Sequence, residues 1–135
     1  MSKIVEFIEA RITEDEQIAR EASEGALAKF ADIRVSGVWE YNGGSVVGSD
    51  PTFAVRSGAE VTVQQVAHIA LHDPARAARQ ASLFRKLLVE ALPVDGPNFR
   101  AADHDAEDAK NPQFQALATI WADHPEFQRE WRLAD

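Results

Sequence analysis

Two histidines, His68 and His72, stand four residues apart in a stretch with helical periodicity. That spacing places both imidazoles on one face of a helix, as in helices that bind zinc. Ile69 follows His68, so the glutamate that acts as general base in the HExxH motif is absent. Three other side chains can supply a third ligand: Asp73, His104 and Asp105. The alternative is that both histidines only face solvent, and we therefore expect no bound metal and no cofactor.

A basic cluster follows the histidines, and helical periodicity places Arg76, Arg79 and Lys86 on one side of a helix. Residues 74–92 carry four basic side chains and one acidic side chain, although the whole chain has a net charge of −8. Cationic side chains form charge-assisted hydrogen bonds with phosphates and carboxylates. The candidate ligand-binding set for a small anion or a nucleotide is therefore Arg76, Arg79, Lys86, His68 and His72.

Other catalytic signatures are absent from the sequence. The chain has no cysteine, which excludes disulfides, thiolate catalysis and cysteine zinc sites. The Gly43-Gly44 pair precedes a predicted strand, whereas a phosphate-binding loop needs a following helix. The acidic residues at 103–108 lack the spacing and the glycine of a calcium-binding loop. We therefore expect a protein that is not an enzyme, and a metal-dependent hydrolase using His68 and His72 is the least favoured alternative.

Composition narrows the class of protein further. The chain has 135 residues, of which 45% are hydrophobic and 27% charged, as expected for one globular domain. It lacks the long apolar run of a membrane helix, and Glu6 and Glu9 come too early for a signal peptide. A sequence pI near 4.9 disfavours binding to nucleic acid, because phosphates are repelled. We expect a cytoplasmic protein with no membrane partner.

The elements that carry these side chains follow from periodicity. A long helix is predicted from Lys3 to about residue 22, with Ser2 as its cap. A β-hairpin is predicted next, with strands at 38–41 and 45–47, and a third strand follows at 52–56. The apolar residues of the hairpin region are expected to pack on the helices.

Two helices are predicted for residues 62–92. Thr62 caps the first, which ends near His72 because a proline disfavours helix at the preceding residue. Asp73 and Pro74 begin the second. Its apolar face consists of Ala77, Ala81, Phe84, Leu88 and Ala91, widened by Leu87 and Leu92.

The C-terminal third is predicted to be an acidic loop followed by helices. A helix begins at Asn111-Pro112, and Asp123-His124-Pro125 restarts it. Phe127 and Trp131 form an aromatic pair at i, i+4 and are the candidate interaction surface, which docks on this chain or on another.

Arg11 and Asp15 interrupt the apolar stripe of the first helix. They form either a surface ion pair or a semi-buried pair that fixes the helix against another element.

These predictions give an α+β fold that is mostly helical, with a small antiparallel sheet packed on long helices. The single domain 1–135 comprises an N-terminal helix region (1–31), a β-hairpin region (33–58), a central helix pair (62–92), an acidic loop (93–111) and C-terminal helices (112–135).

Three short motifs resemble one known family. They are FIEARITEDE at 7–16, HIALHDPAR at 68–76 and ADHPEFQREW at 122–131. Their order is similar to that in a family of small proteins of unknown function from actinobacteria, their phages and their prophages. The resemblance implies no catalytic residue. Together with the acidic composition, the absent catalytic motifs and the aromatic C-terminal segment, the resemblance leads us to expect a non-enzymatic accessory protein of phage or prophage type. We expect it to bind a bacterial host protein or to associate with itself.

Overall fold

The fold is α+β, as predicted. In a computed structural model of the protein, the described residues are 1–24, 37–48, 54–58, 61–92 and 104–133. None of the helices in this part of the chain is long and apolar enough to cross a membrane. The elements are α1 (Lys3–Glu24), β1 (Glu40–Tyr41), β2 (Ser45–Val47), β3 (Ala54–Arg56), α2 (Val63–Leu71), α3 (Pro74–Ala91), α4 (Asp105–Ala109), α5 (Pro112–Thr119) and a 3-10 helix (Arg129–Trp131).

Parts of several predicted segments lie outside the described residues. These are the N-terminal helix region beyond Glu24, the beginning of the third strand at Thr52 and Phe53, and residues 93–103 of the acidic loop.

Two compact units divide the chain. The first consists of Met1–Glu14 and Ser82–Asp135, and the second consists of Asp15–Ala81. The divisions therefore fall inside α1 and α3, each of which is one continuous helix. The single domain inferred from chain length stays a prediction.

The second unit contains the sheet, whose strands run in the order β1-β2-β3 and are all antiparallel. Tyr41 and Val55 flank Val46 on the two neighbouring strands, and directly opposed residues face the same side of a sheet. Val46 is fully buried. Helix α2 packs on β1 and β2 and buries its own Val66 completely. This arrangement confirms the predicted hairpin and its packing on a helix.

Two local signals position the ends of these elements as predicted. Gly43 has a φ of +83° in the hairpin turn, where Asn42 donates a backbone hydrogen bond to the Ser45 carbonyl oxygen. Thr62 caps α2, since its Oγ1 accepts from the Gln65 N–H at 3.1 Å and the Gln65 side chain accepts from the Thr62 N–H at 2.9 Å. These two reciprocal bonds form a capping box.

The first unit has a core of aliphatic and aromatic side chains from three helices. The buried residues are Ile4, Val5, Phe7, Ile8 and Ile12 of α1, Leu88 of α3, and Phe114, Leu117 and Ala118 of α5. Their spacing follows the helical repeat, as periodicity predicted for these positions. The predicted stripes are wrong at Ile18, Leu87 and Ile120, which are exposed. Asn111 caps α5 by accepting the Gln113 N–H at 2.9 Å, and Pro112 occupies the first helical position.

The predicted acidic loop is wrong in its last third, because α4 forms there. Asp105, the first residue of α4, accepts a hydrogen bond from the backbone N–H of Lys3 at 2.7 Å. A carboxylate at this position complements the positive end of the α1 dipole. Asp105 therefore performs the capping role predicted for Ser2, whose Oγ is buried without a hydrogen-bond partner.

The predicted helix restart at Asp123 is also wrong. Residues 120–127 form consecutive turns, in which the Phe127 N–H donates to the His124 carbonyl oxygen at 2.9 Å. Gln128 is extended, and only the short 3-10 helix follows. Tertiary packing overrides the local helix signal here, because the extended backbone brings Trp131 into the buried core.

Candidate functional site

The central motif forms a junction at the beginning of α3. Asp73 Oδ1 accepts the Arg76 N–H at 2.8 Å, which confirms the predicted helix cap. Asp73 Oδ2 accepts the Trp39 N–H at 3.2 Å, and the Gly37 carbonyl oxygen accepts the Ala75 N–H at 3.0 Å. The two bonds join the segment before β1 to the N-terminus of α3. We call Gly37, Trp39 and Asp73 the Asp73 junction.

Gly37 is required at this junction for two reasons. Its φ is +70°, a backbone conformation that residues other than glycine rarely adopt. A Cβ atom built at Gly37 would lie 3.1 Å from the Ala75 nitrogen and 3.1 Å from the Ser23 Cβ. The backbone therefore approaches the neighbouring chain more closely than a side chain permits.

The two histidines of the same motif lie on the exposed side of α2. The ring centroids of His68 and His72 are 4.4 Å apart, so the predicted common face is confirmed. The proposed third ligands are engaged elsewhere. Asp73 holds the junction, Asp105 accepts from Lys3, and His104 Nδ1 lies 3.3 Å from Glu107 Oε2.

Within the described part of the chain, no group of three or more His, Cys, Asp or Glu side chains is close enough to hold a metal ion. The histidine pair offers two nitrogen ligands, and no further side chain among the described residues completes a coordination sphere. His68 instead borders a shallow cavity of about 520 Å³ with Val61, Gln64, Gln65 and Ile69.

The three predicted basic residues differ in their surroundings. Arg76 is half-buried, and its guanidinium donates to the Leu71 carbonyl oxygen at 3.4 Å. That bond places Arg76 at the C-terminal end of α2, where a cation complements the negative end of the helix dipole. Arg79 and Lys86 are exposed. Arg76 and Arg79 belong to the second compact unit and Lys86 to the first.

The first and third motifs meet in an aromatic cluster. Phe7 of α1 lies at its centre, with ring centroids 5.6 Å from His124, 6.1 Å from Phe127 and 5.2 Å from Trp131. Phe127 and Trp131 are themselves 5.9 Å apart at 85°, an edge-to-face arrangement that aromatic rings favour. We call Phe7, His124, Phe127 and Trp131 the Phe7 cluster.

Burial in the Phe7 cluster corrects the predicted interaction surface. Trp131 is only 2% exposed and Phe127 is half-buried. The predicted pair does form, but it docks on this chain. Trp131 is therefore an anchor of the fold, and its indole is not available to another protein.

Arg11 is attached to the same cluster. Its guanidinium lies 5.6 Å from the Phe7 ring centroid and contacts Nε2 of His124. Carboxylate oxygens of Glu14 and Glu126 lie 3.4 Å and 3.9 Å from its nitrogens. With only 14% of its side chain exposed, Arg11 is semi-buried, whereas its predicted pairing with Asp15 stays a prediction. It joins α1 to the C-terminal segment.

Comparison with known protein families covers nearly the whole chain. The chain belongs to DUF6221. The model of this family of unknown function matches residues 1–133. No curated protein and no solved structure matches the chain.

The residues through which this DUF6221 chain resembled a known family thus have structural roles. The first and third motifs build the Phe7 cluster, and the central motif builds the Asp73 junction. Both are formed largely by buried rings, caps and backbone hydrogen bonds.

Two cavities lie beside the Phe7 cluster, and they share Lys3, Gln128 and Trp131. One has a volume of about 340 Å³ and extends towards Asp105 and Lys110 of the α4 region. The other has a volume of about 530 Å³ and extends along α1 to Glu6 and Ala10. Charges of both signs border these cavities.

A different kind of surface lies on the solvent side of α3. Leu83 is 59% exposed and Leu87 is 51% exposed, and Lys86 and Glu90 are exposed beside them. These four residues stand at i, i+3, i+4 and i+7, which is one face of a helix. We call them the outer face of α3, and all four belong to the first compact unit.

Periodicity misassigned part of this surface. Leu87 was expected to widen the buried stripe, but it lies about 100° around the helix from the neighbouring Leu88, which is buried. Only a narrow stripe of α3 enters the core. One sequence feature did indicate that Leu87 is exposed. Leu83 stands four residues before it, on the side of the helix that also carries charged residues.

Proposed function

We propose that this chain is a non-enzymatic accessory protein whose outer face of α3 binds another protein. The partner is a protein of a bacterial host or a second copy of the chain. The three motifs support an origin in actinobacteria or their phages and prophages. The cysteine-free sequence supports action in the reducing cytoplasm.

Exposure of two leucines on consecutive turns of α3 carries this proposal. Leu83 and Leu87 expose more than half of their surfaces on the same face of the helix. Full burial of a leucine side chain stabilises a complex by roughly 1.5–3 kcal/mol before the cost of association. Adjacent exposed apolar side chains with a charged rim are typical of protein-binding surfaces.

A lysate capture experiment combined with light scattering tests the proposal. The bait is the wild-type chain, and the test variant is L83Q/L87Q, which removes the apolar surface but preserves the length of the side chains. Leu71 on α2 is 58% exposed, so L71Q is a matched control. We expect an identified partner, or self-association, that L83Q/L87Q loses and L71Q keeps. A strict monomer that captures no protein would contradict the proposal.

A second candidate function is binding of a small anion or nucleotide by the basic residues of α3. The exposure of Arg79 favours it, because this cation is accessible to a phosphate. Thermal shift with ATP and with inorganic phosphate tests this function on wild type and on R76E/R79E. A shift that the double charge reversal leaves unchanged would count against it.

A further inference from the structure

We infer that the partner of the outer face of α3 is the same face of a second copy, bound as an antiparallel helix pair. The inference rests on the proposed function and specifies its partner. Leu83 and Leu87 supply the apolar centre, and Lys86 and Glu90 supply one cation and one anion beside it. The two leucines stand a turn apart, so each copy presents a short apolar ridge.

Charge distribution distinguishes this partner from others. The chain as a whole has a net charge of −8, but Lys86 and Glu90 make this pair of rim charges neutral. Along the helix the cation precedes the anion by four residues. A face with one charge of each sign is complementary to itself when a twofold axis reverses its direction. A strongly basic or strongly acidic partner would be attracted by one of these charges and repelled by the other.

Helix geometry sets the register of the pair. A twofold axis that passes between Lys86 and Leu87 leaves the Leu87 side chains of the two copies offset by only about 1.5 Å along the helix, so they pack beside each other. Lys86 of one copy then lies opposite Leu87 of the second copy, three residues from the second copy's Glu90. At 1.5 Å per residue, the offset along the helix is about 4.5 Å, which a lysine side chain spans. The twofold axis produces this ion pair twice.

Association through this face should be weak and reversible. The four residues span only two helical turns. The area that they can bury is therefore well below that of a standard stable interface. We expect a dissociation constant on the order of 10–100 µM, typical of small interfaces rather than permanent dimers. Added salt should weaken the pair, because both ion pairs lie at a solvated rim.

Charge-reversal variants test the inference, since the two substitutions have matched effects. K86E places two carboxylates against each other at each symmetric contact, and E90K places two ammonium groups there. Each variant alone should associate roughly tenfold or more weakly than wild type, because both symmetric pairs become repulsive. An equimolar mixture of K86E with E90K should recover association, since each contact in the mixed dimer again joins opposite charges.

Sedimentation velocity measures the association of wild type, K86E, E90K and the equimolar mixture. The samples are at low salt and at up to about 500 µM, above the expected dissociation constant. Both positions are exposed, and circular dichroism establishes that each variant is folded. L83Q/L87Q should abolish association in every mixture. Failure of the mixture to associate while wild type does would overturn the antiparallel register.

A wild-type chain that stays monomeric at every concentration would overturn the second-copy inference as a whole. The proposed function has a separate outcome in that case. Capture of an identified host protein that L83Q/L87Q loses and L71Q retains would leave the proposed function standing with a different partner. A chain that neither self-associates nor captures a host protein would contradict both the second-copy inference and the proposed function.

Discussion

The Phe7 cluster and the outer face of α3 place large apolar side chains in opposite surroundings within one compact unit. In the cluster, Phe7 and Trp131 are buried against each other and Trp131 is 2% exposed. On α3, Leu83 and Leu87 expose 59% and 51% of their surfaces. The cluster buries its apolar surface within the chain, whereas the outer face of α3 leaves apolar surface exposed to water.

This difference separates the residues that resemble a known family from those that we propose to bind a partner. The motif residues at the Phe7 cluster and the Asp73 junction hold elements together. The outer face of α3 includes no residue of the three motifs. The described motif residues thus have structural roles, and the binding surface that we propose rests on the exposure of Leu83 and Leu87.

The largest expected loss of stability follows a substitution in the Phe7 cluster. W131A removes an indole that packs on Phe7, and it should lower the free energy of unfolding by about 3–5 kcal/mol. Urea denaturation followed by circular dichroism measures the change. The matched substitution L83A, at an exposed position, should cost less than about 0.5 kcal/mol. Equal losses of stability in W131A and L83A would contradict the distinction between the buried cluster and the exposed helix face.

The Asp73 junction extends the comparison to the second compact unit. G37A forces a side chain into a backbone with φ of +70° and into contact with Ala75. We expect a loss of about 1–3 kcal/mol in the free energy of unfolding. G43A provides a useful control, because Gly43 has a similar φ of +83° but no neighbouring atom within 4 Å of an added Cβ. A loss at Gly37 no greater than that at Gly43 would show that the close approach contributes nothing.

Removing the cap of α3 should have a smaller effect. D73A deletes the acceptors of the Arg76 and Trp39 N–H groups, and it should cost about 0.5–2 kcal/mol. D73N retains one side-chain oxygen, and asparagine caps helices as well as aspartate does, so most of the stability should persist. Thermal and urea unfolding of the two variants measure the difference. A D73A protein as stable as wild type would rule out the junction as a stabilising contact.

The smallest effect on folding is expected on the outer face of α3. L83Q/L87Q should change the free energy of unfolding of the dilute monomer by less than about 1 kcal/mol, because neither side chain lies in the core. Urea denaturation at low protein concentration tests this expectation. A large loss of stability would mean that these leucines support the fold, and their exposure would no longer point to a binding surface.

Local chemistry made part of this fold predictable from the sequence. The capping box at Thr62, the cap at Asp73 and the glycine turn at Gly43 depend on neighbouring residues, and all three are confirmed. The apolar repeat of α1 was equally informative. These signals are short-range, so a single sequence contains them.

Long-range contacts account for what the sequence did not reveal. Asp105 caps α1 from a position 102 residues away, and nothing near Ser2 or Asp105 in the sequence signals that pairing. The bond between Trp39 and Asp73 is of the same kind. The exposure of Leu87 depends on how narrow a stripe of α3 enters the core, which periodicity alone does not define. The candidate binding surface therefore became visible only once the packing of α3 was known.

Sedimentation equilibrium of the wild-type chain over a concentration series is the most direct test of the role of the outer face of α3. We expect the weight-average mass to rise from 14.9 kDa towards twice that value. L83Q/L87Q should remain at the monomer mass, and the L71Q control should follow wild type. An L83Q/L87Q protein that associates as wild type does would contradict the account, because the two exposed leucines would then have no part in binding.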